Sequence, residues 1–156
     1  MEKAQIIDIL SVGEGARIAE DDARLAPLVA LARAMGSPPP DRDSPPREVM
    51  ARLGDNWSAL ILKVLATGTF RHATLKRVIG ALSAEGDISQ RMLTLRLRAL
   101  ERDGFVSRQE HPTVPPRVDY ALTPLGRGLV GQFDAILAWT EANAPMIEAA
   151  RARFNG

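Results

Sequence analysis

The 156-residue chain has no cysteine. That absence excludes a disulfide framework, a thiolate metal site and a thiol redox switch. Aromatic residues make up only 4% of it, while apolar residues reach 46%. A core built this way is mostly Leu, Ile, Val and Ala, which favours packed helices over an aromatic-rich β fold. No apolar run approaches the ~20 residues of a membrane-spanning helix. Met1-Glu2-Lys3 does not open a signal peptide, so the expected location is the cytoplasm. The only histidines, His72 and His111, have no carboxylates in register, so no metal or other cofactor is expected. There is no G-x-S-x-G, no P-loop and no H-E-x-x-H motif, and catalysis is not expected. Asp21-Asp22 and the pair Glu85 and Asp87 read as solvated helix-end or loop charges.

What is present is unevenly placed. Residues 1–56 hold seven Lys/Arg and ten Asp/Glu, residues 57–108 hold nine and four, and residues 109–156 hold four and five. The segment charges are therefore −3, +5 and −1, which sum to the net +1 of the chain. A basic middle between acidic flanks suggests a localised anion-binding surface.

Residues 5–12 fit a short strand or a helical turn. Residues 17–35 carry Ile18, Leu25, Leu28, Val29, Ala32 and Met35 at helical spacing, with Pro27 as a start or a kink. Five prolines between Ser37 and Pro46 mark an extended linker. Beyond it the pattern predicts helices at 47–53, after Asp55 or Asn56, and at about 72–82. In these, Trp57, Leu60, Ile61, Val64 and Leu65, then Leu75, Val78, Ile79 and Leu82, form the inward stripes. Trp57 is expected in the core. The next helix is the best specified. Ser89 is a good N-cap, Ile88 and Leu93 hold staple positions, and Leu93, Leu97 and Leu100 repeat at i, i+4 and i+7. Gly104 stands where a left-handed cap belongs. Strands follow at Phe105–Arg108 and Val118–Leu122, joined by a connection with three prolines. Thr123 and Pro124 open a long helix with Leu125, Leu129, Phe133, Ile136, Leu137 and Thr140 along one side, and Pro145 is expected to end it.

The fold expected is mainly α with a small β-hairpin: a winged helix-turn-helix with N- and C-terminal dimerisation helices. Its divisions are an N-terminal extension at 1–46, a DNA-binding domain with the C-terminal dimerisation helix at 47–143, and a tail at 144–156. In such an architecture the second helix of the motif enters the major groove and the wing meets the backbone or the minor groove. Helix 89–103 buries its leucines and turns Gln90, Arg91, Thr94 and Arg98 outward, with Ser89 at its amino end. Gln reads adenine and Arg reads guanine through paired hydrogen bonds. Arg108 and Arg117, at the ends of the wing 108–118, are placed for phosphates, with Thr113 between them. His111 fits either a DNA contact or a solvated side chain.

Three stretches resemble the HxlR-type winged-helix regulators of the MarR-like superfamily. They are Gly54-Asp55-Asn56-Trp57 with Ile61-Leu62; Ile88 to Thr94 with Arg96-Leu97 and Leu100 to Val106; and Pro112 to Val118 with Tyr120 and Leu122 to Gly126. The resemblance covers about 47–143 and implies a bacterial homodimer on a palindromic operator. It implies that the first and last helices make the dimer, and Leu25, Leu28, Leu129, Phe133, Leu137 and Trp139 are the candidate interface. Three departures stand out. The redox cysteine often found near the domain start is replaced by Asp43-Ser44-Pro45-Pro46-Arg47. About six residues are added around Ala81 to Asp87. The usual Phe-x-Glu-Leu segment is replaced near His72-Ala73-Thr74-Leu75. Two other readings compete: a winged-helix protein-interaction module, and an effector-sensing regulator whose ligand pocket involves the N-terminal extension.

Overall fold

The computed structural model describes residues 3–14, 17–34, 44–114 and 116–155. It divides into two compact units, Met1–Gly54 and Asp55–Gly156. The 46/47 division expected from the prolines differs because Pro45 and Pro46 are the first residues of a helix. Most of the Pro-rich linker, with Met35 and Gly36, lies outside the described residues.

The first unit holds α1 (Lys3–Glu14), α2 (Leu25–Ala34) and α3 (Pro45–Leu53). The ambiguous segment 5–12 is thus helical. Ile6, Ile7 and Leu25 form a small buried cluster, with Leu10, Ile18, Leu28 and Val29 packed around it. Residues 17–24 are not helical, so the expected helix is shortened at its start. Pro27 lies in the first turn of α2, where a missing N–H breaks no helical bond. Asp22 receives the backbone N–H and guanidinium of Arg24 just before that turn. These bonds, the side-chain ones first, lower its pKa to about 2. A groove of about 590 Å³ runs along this unit, lined by Leu25, Ala26, Val29, Asp22 and Arg33 among others.

The second unit runs α4 (Ser58–Ala66), β1 (Phe70–Arg71), α5 (His72–Leu82), α6 (Gln90–Arg102), β2 (Val106–His111), β3 (Arg117–Leu122) and α7 (Pro124–Asn155). Its three strands are antiparallel in the order β1-β3-β2. β2 pairs with β3 from Val106 against Leu122 to His111 against Arg117, so both strands of the hairpin run further toward the turn than expected, the first by three residues and the second by one. The core consists of Ile61, Leu62, Leu65, Leu75, Ile79, Ile88, Leu93, Leu97 and Leu100 from the helices, closed by Phe105, Val106, Tyr120, Leu122, Val130 and Phe133. Trp57 is only half-buried. Leu82 is 64% exposed, because α5 ends there and nothing follows to cover it.

Asp55 organises the entry to α4. It accepts the Trp57 N–H at 2.9 Å and the Ser58 hydroxyl at 2.6 Å, and the guanidinium of Arg96, on α6, lies 3.0 Å from it. Ser58 is completely buried, and this bond satisfies its hydroxyl.

Two junctions fix the other helices. α6 ends in a Schellman motif: the Phe105 N–H reaches Leu100 O at 2.9 Å and the Gly104 N–H reaches Glu101 O at 3.0 Å. This needs a left-handed residue, and Gly104 has φ of 78°. α7 starts on Thr123, whose hydroxyl donates to Gly104 O at 2.6 Å and accepts from the Gly126 N–H at 3.0 Å. One bond closes the cap and the other ties it to the end of α6.

α7 is a correction to the sequence expectation. It does not stop before Pro145 but runs 32 residues, about 48 Å at 1.5 Å per residue. Pro145 removes one amide, and the carbonyl it leaves, that of Glu141, lies on an exposed stretch open to water. The buried residues of α7 are Gly126, Val130 and Phe133. Its remainder projects with Ile136, Leu137, Trp139, Met146 and Phe154 exposed by 49% to 90%.

Candidate nucleic-acid interface

The geometry of α6 follows from its leucines. Leu93, Leu97 and Leu100 are at most 1% exposed. The staple residue Ile88 is buried beside them, and the Ser89 hydroxyl accepts the Met92 N–H at 3.1 Å. With one edge held inward, the helical repeat turns Gln90, Arg91 and Arg98 to solvent and leaves Thr94 half-buried among them. Arg91 and Arg98 have no ion-pair partner among the described residues. Leu95, 52% exposed, and Glu101 share the outward arc, and neither stood out in the leucine period. Ser89 is a capping residue first, since its side-chain oxygen is already committed to α6.

Thr94 is held from two sides. Its hydroxyl donates to Gln90 O at 2.9 Å, and His72 Nε2 lies 3.1 Å from the same oxygen. His72 begins α5, and its ring lies 6.3 Å from that of Tyr120 at 60°. Burial, and then the charge of Lys76, push its pKa below the usual 6.5. No sequence pattern assigned His72 a role; its partner is 22 residues away and only the fold brings them together.

The wing differs from expectation. Arg117 donates through Nε and Nη2 to Asp119 at 2.7 to 3.0 Å. His111 Nε2 lies 3.1 Å from the same carboxylate. Asp119 is 8% exposed, and the bonds from Arg117, foremost, keep its pKa below the ordinary carboxylate value. Arg108 pairs with Glu110 and is also bonded by Tyr120. Arg108, Arg117 and His111 are all engaged within the wing. Thr113 sits at its tip with its N–H on His111 O at 2.8 Å.

One depression borders α6 and a second lies at the start of α5. One of about 310 Å³ is lined by Thr94, Arg98, Glu101, Arg108 and Tyr120. The other, of about 510 Å³, lies between the start of α5 and the wing and includes Arg71, His72, Thr113 and Arg117. The structure thus brings every expected DNA-facing residue onto α6 or the wing. The expected interface residues do not share one environment. Leu25 and Phe133 are buried within their own chain, at 2% and 6% exposure, and have little area to offer a partner. Leu28 and Leu129 are half-buried, and Leu137 and Trp139 are exposed.

A capped recognition-type helix, a preceding helix and a β-hairpin wing have their counterpart in a known family. The family model for HxlR-like helix-turn-helix proteins matches residues 52–148. The chain belongs to that family. An HTH-type transcriptional regulator of Escherichia coli strain K12, YtfH, is 42% identical over 107 residues, covering 69% of this chain and 80% of that protein. The solved structure of the transcriptional regulator YtfH from Salmonella typhimurium is 39% identical and superposes with a TM-score of 0.58, covering 72% of this chain and 95% of that one. The reduced form of the redox regulator HypR is 34% identical, with a TM-score of 0.56, covering 68% and 99%. Membership makes this chain a winged helix-turn-helix protein of the transcriptional-regulator class, and these relatives are regulators rather than enzymes. No helix among the described residues is long and apolar enough to cross a membrane.

Proposed function

We propose that the protein is a sequence-specific, homodimeric regulator of transcription that places α6 in the major groove of a palindromic operator. The observation that carries this reading is the division of α6 into a leucine edge sealed in the core and an outward arc with Gln90, Arg91, Thr94 and Arg98. A helix held so matches the ~12 Å major groove. Arg91 is the main candidate for reading guanine and Gln90 for reading adenine. The wing, with Arg108, His111, Thr113 and Arg117, lies along the backbone and positions the helix rather than reading bases. The protein works in the cytoplasm, where its target is.

The dimer is carried by α7. The buried positions Gly126, Val130 and Phe133 continue along the same face at Leu137, Thr140, Ala144 and Ile147, every three or four residues. That face leaves the domain core and needs a second surface. Leu129 and Leu137 are its proposed contacts, and Trp139, exposed on another side of α7, is a further candidate. Regulation does not use thiol oxidation, since the chain has no cysteine.

Selection of bound DNA from a random duplex pool tests the reading. The expected product is a palindrome whose half-sites are about 10 bp, or a multiple, apart. Recovery of random sequence at low salt, with no motif enriched, would overturn it.

A further inference from the structure

We propose that Thr94 reads the methyl group of a thymine in the operator and that His72 is the positioning residue that makes it do so. This rests on the major-groove reading of α6.

The argument starts from the hydroxyl. Thr has one O–H hydrogen and a methyl group on the same carbon. In Thr94 that hydrogen goes to Gln90 O, one turn back, at 2.9 Å. His72 Nε2, 3.1 Å away, must then supply the hydrogen of the second bond. The hydroxyl has no donor left for a base acceptor. Beside one remaining acceptor lone pair, what Thr94 has to present to a base is its methyl group, and apolar contact with the thymine C5-methyl is a recognised form of base readout.

His72 is fixed for this task on three sides. Its backbone begins α5, its ring leans on Tyr120 of β3, and its Nε2 meets α6. Burial holds its pKa below the usual 6.5, and for this bond the hydrogen of the neutral ring sits on Nε2. The charged neighbours are cationic or already paired: Lys76 on α5, Arg71 and Arg117 along the adjoining cleft, the latter bound to Asp119. Thr94 sits at the middle of the outward arc, between Gln90 and Arg98, where a base-edge contact is central rather than marginal.

The test replaces each thymine of the selected operator by deoxyuridine, which removes only the methyl. Wild-type protein should lose about fourfold in affinity at one position per half-site, equivalent to the ~0.8 kcal/mol of one buried carbon group at 1.4 kcal/mol per tenfold. Substituting both half-sites should cost about fifteenfold. Thr94→Ser keeps the hydroxyl and should no longer distinguish the two bases there. His72→Leu releases the hydroxyl and should erase most of the discrimination, and His72→Gln, with an amide donor of similar reach, should restore it. Thermal melting of each variant separates lost folding from lost readout. Equal wild-type affinity for every deoxyuridine operator, or unchanged discrimination in Thr94→Ser, would overturn the methyl contact. Unchanged discrimination in a folded His72→Leu would overturn the positioning role. Failure to select any operator would overturn the DNA reading itself, and this inference with it.

Discussion

Gly126→Ala offers a test in which local and tertiary arguments predict opposite signs. Gly126 lies in the first turn of α7, and in a helix alanine is favoured over glycine by about 1 kcal/mol. By propensity alone the substitution stabilises. The structure says otherwise. A Cβ at this position would lie 2.1 Å from the carbonyl oxygen of Phe105, 3.0 Å from its carbon and 3.1 Å from Leu122 Cδ2. The first obstacle is backbone, and it belongs to the junction where Thr123 ties α7 to the end of α6. To restore contact distance α7 must shift by about 1 Å, which disturbs that cap and the packing of Val130 and Phe133 below it. Overpacking of this kind costs about 1–3 kcal/mol, enough to outweigh the helical gain. The internal control is Gly128→Ala on the same helix, where an added Cβ meets nothing within 4 Å. It should be neutral or stabilising by up to about 1 kcal/mol. Urea unfolding at one fixed protomer concentration measures both, since a dimer couples stability to concentration. If Gly126→Ala stabilises as Gly128→Ala does, the docking of α7 on Phe105 is wrong.

Leu97→Ala should destabilise by about 2–5 kcal/mol, because the side chain is 1% exposed and its loss leaves a cavity under α6; a loss under about 0.5 kcal/mol would mean that α6 turns another face inward. Stability should fall as pH drops below the ordinary His value of 6.5, because the lowered folded pKa of His72 lets the unfolded chain bind the proton first. The loss should be complete once pH passes below the folded value and should be reduced in His72→Gln; parallel pH profiles would refute it. Sedimentation at micromolar protein should show a dimer, and Leu137→Glu with Trp139→Glu should shift it to monomer; a monomeric wild type would remove α7 as an interface. Arg91→Ala should cost about 1–3 kcal/mol on the selected operator and relax one base position per half-site, whereas Arg117→Ala should weaken operator and random DNA alike; equal losses on both DNAs for Arg91→Ala would count against base readout.

What was legible in the sequence was local. α6 announced itself because its core face, its Ser89 cap, its Ile88 and Leu93 staple and its Gly104 stop all lie within 17 consecutive residues, 88 to 104. β1 is two residues long, too short for alternation to show; it exists because β3 has an open edge to pair with. The end of α7 was misjudged because Pro145 is a strong stop signal in isolation, yet one lost bond in a helix exposed to water does not outweigh the turns on either side. The roles of Leu25 and Phe133 were misjudged for a different reason: a stripe shows that a side chain will be buried, and not whether its own chain or another covers it. Asp119 and His72 were illegible because their roles are pairings that folding assembles, within the hairpin for Asp119 and across the fold for His72. Asp119 is a charge in a strand until Arg117 and His111 converge on it, and His72 is a helix-start residue until Thr94 arrives.

On the proposed DNA-binding reading, the pairing of charges also predicts which part of the interface should meet phosphate most strongly. Of the nine Lys/Arg in residues 57–108, Lys63, Arg96, Arg102 and Arg108 are matched with Asp134, Asp55, Asp103 and Glu110. Arg71, Lys76, Arg77, Arg91 and Arg98 have no ion-pair partner among the described residues. All five belong to the helix-turn-helix proper: Arg71 precedes α5, Lys76 and Arg77 lie on it, and Arg91 and Arg98 lie on α6. The wing, whose own Arg117 is clamped by Asp119, contributes shape and little unpaired charge. Each phosphate neutralised adds about 0.9 to the slope of log affinity against log salt. The slope should therefore respond more to removing Arg71 or Arg77 than to removing Arg108, whose loss also releases Glu110. The unpaired positive charge of residues 57–108 is thus concentrated at Arg71 and on two helices, α5 and α6.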